Sequence, residues 1–192
     1  IASIGYQASI VITPQQEADM DIKATLNNLL IPYTSNYAGT LLPGIREYTV
    51  TPGEKTTTIS GKGKAGLKQE ENYYFFYLPV CYKGITGKSY AYYNTSRSKN
   101  LYLPASVDEN YSYDIQLPEN LTLCTPIQEK KIDNPIGSFK ITLTSEGSSL
   151  HIELALQIKK QLITPAEYPA FRSLITEWTD RTRKPILFKT VQ

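Results

Sequence analysis

Two cysteines, Cys81 and Cys124, a single histidine, His151, and the acids around them are the side chains with which this 192-residue chain could do covalent chemistry. On paper either cysteine joins His151 and Asp133 as the nucleophile, base and orienting acid of a thiol hydrolase. The local context argues against that use. A nucleophilic cysteine gains its low pKa at a helix N-terminus or beside a cation, whereas "VCYKGITGK" and "LCTPIQEK" follow strand-like runs and lead into turns. His151 falls on the polar phase of its strand, a place for a solvated or hydrogen-bonded imidazole. One histidine and two separated cysteines make none of the usual zinc spacings, so no metal is assigned. The oxygens of "DEN" at 108 to 110 and of "TPGEK" lack the DxDxDG-type loop that holds calcium. Gly61, Gly63 and Gly66 in "SGKGKAGLK" suggest a phosphate loop, but the GK[ST] ending and a following helix are absent. That stretch reads as a flexible, lysine-bearing turn. No catalytic residue and no cofactor is therefore placed on the chain.

Tyrosine is the informative excess, with fifteen in all. Tyr90, Tyr92 and Tyr93 stand close to Asn94 and Arg97, and exposed rings flanked by an amide and a guanidinium could stack on sugar rings or form a protein interface. The competing reading is structural: most tyrosines recur at strand periodicity, where rings fill a core and hydroxyls reach its rim. Twenty Lys and Arg against eighteen Asp and Glu leave a net charge of +2, without the basic excess that drives nucleic-acid or anionic-membrane binding. No run approaches the roughly 18 apolar residues of a membrane span. The opening "IASIGYQASIVITP" has neither an initiator Met nor a signal segment and reads as a mature or excised fragment.

The elements that must position these side chains are strands. Period-two alternation gives "GYQASIVITP" the set Tyr6, Ala8, Ile10 and Ile12, and "MDIKATLN" the set Met20, Ile22, Ala24 and Leu26. "NYSYDIQLP" puts Tyr111, Tyr113, Ile115 and Leu117 on one side, and "LHIELALQI" repeats the pattern from Leu150 to Ile158. "NYYFFYLPV" is apolar on both faces and is expected to be a central strand covered on both sides. "SEGSS" joins two such runs as a hairpin with Gly147 available for positive φ. Links this short, with no helix between strands for the first 160 residues, exclude parallel βαβ units.

One helix is expected, from about 168 to 178. Thr164, Pro165 and Glu167 fit a capping box, and Pro169 predicts a tight or broken first turn before the regular helix. Tyr168, Phe171, Leu174, Ile175 and Trp178 then recur on one face, which makes the helix a lid over a sheet. "PILFK" resumes as a short strand.

The run from about residue 70 to 189 carries "SRSKNLYLP", "ENYSYDIQLPENLTL", "NPIGSFKITL", "LHIELALQIKKQLITP" and "EYPAFRSLITEW" leading into "ILFK". In order and spacing this resembles the C-terminal β domain that follows the papain-like core in bacterial transglutaminase-like proteins, common in Bacteroides-type bacteria. The resemblance implies an antiparallel β domain closed by a C-terminal helix, in an exported, periplasmic or cell-surface protein whose upstream core uses Cys, His and Asp. None of those core motifs stands in this chain, so no catalytic residue is carried over.

The expected architecture is all-β: two antiparallel sheets, sandwich-like, with one C-terminal amphipathic helix. An N-terminal β segment (1–84) and a C-terminal β domain (85–192) meet near "YKGITGK", unless the chain is one continuous domain. The expected function is a non-catalytic accessory domain whose partner is the upstream core of the same polypeptide. The alternative is a free-standing surface module that binds carbohydrate or a peptide or protein through Tyr90, Tyr92, Tyr93, Asn94 and Arg97.

Overall fold

Alternating apolar side chains can bury one face only if neighbouring strands align their phases, and the chain does this across nearly its whole described length. The computed structural model describes residues 16–27, 42, 44–81, 85, 95–126 and 128–191, apart from the side chain of Arg183. The strand expected in "GYQASIVITP" lies outside these residues.

The described elements are β1 (Gln16–Asn27), β2 (Ile45–Pro52), β3 (Thr56–Glu70), β4 (Tyr73–Phe76), β5 (Leu101–Tyr102), β6 (Val107–Gln116), β7 (Leu121–Leu123), β8 (Gln128–Asn134), β9 (Gly137–Glu146), β10 (Ser149–Ile158), β11 (Leu162–Ile163), α1 (Tyr168–Arg183) and β12 (Ile186–Thr190). The fold is all-β with a single described helix, in two antiparallel sheets of unequal size. Ten strands form one curled half-barrel in the order β7-β12-β4-β3-β1-β6-β10-β9-β8, with β2 also on β3, and β5 and β11 pair alone. Strands from before and after residue 85 lie side by side, since β1 is hydrogen-bonded to β6 and β4 to β12.

Registers explain why the phases agree. Met20 faces Ile115, Ile22 faces Tyr113 and Ala24 faces Tyr111 across β1 and β6, and those tyrosines face Ile152 and Leu154 of β10. All are buried. The β9–β10 hairpin turns on Gly147 and Ser148 with φ of +57° at Gly147, a value that costs a residue without a Cβ little.

Two expectations need correction. "GKGKAG" is not a turn but the middle of β3, which pairs with β1 from Thr56 to Leu67 and with β2 from Thr57 to Gly63. A Cβ on Gly63 would stand 2.0 Å from the carbonyl oxygen of Gly44, the group that accepts the Lys64 N–H at 3.1 Å. The glycine is there for close backbone approach beside the irregularity between Ile45 and Glu47. "NYYFFYLPV" is central in the sheet but covered on one face only: Tyr74, Phe76 and Leu78 are buried, while Tyr73 and Tyr77 are 44% and 46% exposed and Phe75 is half-buried.

α1 closes the concave side over β9 and β10. Tyr168, Phe171, Leu174, Ile175 and Trp178 are all buried, and the Trp178 ring reaches Tyr111 of β6 at 6.0 Å between centroids. Asn134 Nδ2 donates to the Ala170 carbonyl at 3.1 Å, and Lys130 bridges to Glu177 at 2.5 Å. The regular helix starts at Tyr168 with Pro169 in its first turn and runs five residues past the expected end. The entry differs from a capping box in one bond. The Glu167 carboxylate accepts the Thr164 N–H at 3.1 Å, but the Thr164 hydroxyl donates to that same carboxylate at 3.0 Å. The Thr164 carbonyl meanwhile takes the N–H groups of Glu167 and Tyr168. Lys160 completes this clamp and holds the Glu167 carboxyl at about 2.

Candidate functional site

Tyr90, Tyr92, Tyr93 and Asn94 lie outside the described residues. Arg97 is described: its guanidinium carbon stands 5.7 Å from the Tyr168 ring centroid, over the ring. It borders an open groove of about 590 Å³ with Ser96, Pro165, Tyr168, Pro169 and Arg172. The cation thus covers the aromatic side chain that anchors the start of α1.

The covalent candidates do not converge. Cys81 is buried, with its N–H donating at 3.0 Å to the hydroxyl of Tyr111 on the inner face of β6. His151 is on the outer face, where Nδ1 lies 2.7 Å from Asp114 and Nε2 3.8 Å from Glu153. The sheet separates thiol from imidazole. Asp133 sits at the far edge on β8 beside Lys131. Cys124 is half-buried, and neither cysteine is in a disulfide. Among the described residues no group of three His, Cys, Asp or Glu could hold a metal ion.

The most unusual group in the described structure is Glu109. The strand that puts Val107, Tyr111, Tyr113 and Ile115 inside carries Glu109 on the same phase, and its exposure is 0%. Leu26 of β1 and Leu156 of β10 flank it in register. The carboxylate accepts the Ile85 N–H and, at 3.0 Å, the Tyr111 O–H. Tyr113 adds a third tie by donating to the Pro79 carbonyl at 2.8 Å. Alternate side chains of β6 therefore satisfy backbone groups of Pro79, Cys81 and Ile85. Burial pushes the Glu109 carboxyl up to about 7 against the opposing pull of its two donors, and it pushes Tyr111 and Tyr113 well above the usual phenol range.

The sequence reading considered Glu109 only as a calcium ligand within "DEN". Its neighbours Asp108 and Asn110 are on the opposite, outer phase, where Asn110 Nδ2 donates to Asp108 at 2.8 Å. The three oxygens cannot meet on one ion. The signal for Glu109 was present in the alternation itself, which assigns it to the apolar side of "VDENYSYDIQ".

The chain belongs to DUF3858, described as a domain of unknown function with solved structure, whose profile matches residues 72–188. It is also similar to the crystal structure of a "putative protease" from Parabacteroides distasonis ATCC 8503, at 32% identity and a TM-score of 0.57. That likeness covers 62% of this chain and 24% of the Parabacteroides protein, so the chain spans a minor part of that protein's length. No curated protein matches.

Proposed function

We propose that the chain is a non-catalytic accessory β domain of a transglutaminase-like, exported bacterial protein, acting in the periplasm or at the cell surface. In this reading the papain-like core, with its Cys, His and Asp, belongs to another part of the same polypeptide. The observation that carries it is the match at 32% identity to a segment making up 24% of a larger, protease-related protein. Supporting it, the thiol of Cys81 and the imidazole of His151 stand on opposite sides of the sheet, so this domain positions or shields a core rather than supplying its nucleophile. The outer aromatic row of β4 and the residue after it, Tyr73, Phe75 and Tyr77, is the surface on which the core packs in this reading.

The test is the size of the native protein, blotted from its own cells with an antibody against this chain. The expected band lies far above 21.6 kDa. A band near that mass would overturn the proposal and favour the free-standing module that binds carbohydrate or protein.

A further inference from the structure

A guanidinium presents a planar fork of donors that matches a carboxylate, and two of them in one groove with no acid of their own make a seat for one. The groove beside the start of α1 has that composition. Its volume is about 590 Å³, and Arg97 and Arg172 both line it. Arg97 is half-buried over the Tyr168 ring, and its Nε meets no acceptor among the described residues. Arg172 is exposed four residues beyond Tyr168, one turn along the same helix face. All eighteen Asp and Glu of the chain are described residues, and none of their side chains pairs with either arginine. The acid in the groove wall, Glu177, is held by Lys130 at 2.5 Å.

We infer that this groove docks a peptide segment of a partner protein, seating a Glu or Asp side chain of that segment between Arg97 and Arg172. An apolar residue a few positions along the same segment rests on Tyr102 and Leu162. These two face each other in register across β5 and β11, at 69% and 52% exposure. Leu162 precedes Pro165 of the groove wall by three residues, at most about 11 Å of extended chain. The carboxylate takes the charge-assisted bonds, and the apolar residue adds buried area beside them.

The walls favour a peptide over a sugar. Pro165, Pro169 and Ile132 are apolar, and the lining has no Asn, no Gln and no unpaired acid to satisfy a ring of hydroxyls. The Tyr168 ring is 3% exposed, so its face is not open for stacking. A polyanion is disfavoured as well. Twenty cations against eighteen acids give the chain no broad basic surface, whereas one groove with two unpaired arginines suits one acid.

The probe is the peptide acetyl-Leu-Ser-Ser-Glu-Ser-Ser-Leu-amide, which offers a leucine near the acid in either chain direction. It is titrated into the isotope-labelled chain while the side-chain Nε–H signals of Arg97 and Arg172 are followed by NMR. Both signals should shift saturably, and a probe with Gln in place of Glu should bind about tenfold more weakly. Arg172→Gln, a change at an exposed position, should weaken the Glu probe by about the same factor. Arg97→Lys keeps a cation over the Tyr168 ring but loses the fork, and should cost about fivefold. Tyr102→Thr with Leu162→Thr should cost about threefold for the peptide and leave the weaker binding of acetate unchanged. The proposal is overturned by no saturable shift at the two arginines, by equal binding of the Glu and Gln probes, or by full affinity in Arg172→Gln. A peptide that binds no more tightly than acetate also overturns it. Glucuronate or inorganic phosphate that moves the same signals at lower concentration than the peptide overturns it in favour of an acidic sugar or a phosphoryl group.

Discussion

Trp178 shows how far one residue could be read from its neighbours in sequence. Its three- and four-residue spacing from Leu174, Ile175 and Phe171 marks a buried stripe, and it is 0% exposed. What spacing cannot carry is the partner distant in sequence, the Tyr111 ring, or the finding that the buried indole N–H meets no hydrogen-bond acceptor among the described residues. Trp178→Ala should cost about 3–5 kcal/mol, as a large truncation in a packed core does. Trp178→Phe should cost clearly less, because a ring still fills most of the site and the lost N–H has no acceptor among the described residues. Denaturant melts decide: a loss below about 1 kcal/mol for the alanine variant would remove α1 from the core account. Glu109 was legible in the same limited sense. Alternation places it inside, yet of the two donors that make it tolerable, the Tyr111 O–H and the Ile85 N–H, the second comes from outside its strand, and its approach depends on non-local packing that no local period records.

Elements were legible where one face is buried and harder to read where backbone geometry overrides side-chain pattern. β1, β6 and β10 follow their alternation throughout. β3 was misread because glycines at 61, 63 and 66 look like turn residues, and the feature that requires Gly63, the approach of the Gly44 carbonyl, lies nineteen positions away in the chain. The two kinds of glycine should separate on substitution. Gly63→Ala pushes a methyl against a carbonyl held between β2 and β3, and it should destabilise by about 1–3 kcal/mol or more, as overpacking does. Gly147→Ala meets nothing within 4 Å and should cost only the penalty of a positive φ, about 1 kcal/mol. If thermal melts rank the pair in the reverse order, β3 is not held by that approach.

At the scale of the molecule the open matter is the outer surface of β4. A soluble sheet normally alternates apolar inside with polar outside, yet Tyr73, Phe75 and Tyr77 repeat the apolar type on the face away from the core. Leu187 of β12 lies beside Phe75 in register, and Lys68 of β3 stands 5.4 Å from the Tyr77 ring centroid. Sequence made this strand look covered on both sides, and the cover is what the accessory-domain reading supplies. Tyr73→Thr with Tyr77→Thr keeps strand propensity while removing the rings. In the isolated chain the pair should change stability by no more than about 1 kcal/mol, since each is a partly exposed surface site. In the longer polypeptide that the accessory-domain proposal calls for, the same pair should lower the melting temperature and expose the junction to limited proteolysis, because a domain interface would lose its aromatic contacts. Equal, small effects in both proteins would mean that nothing packs there and would leave the row as free surface. A large loss in the isolated chain would place the rings in this domain's own core.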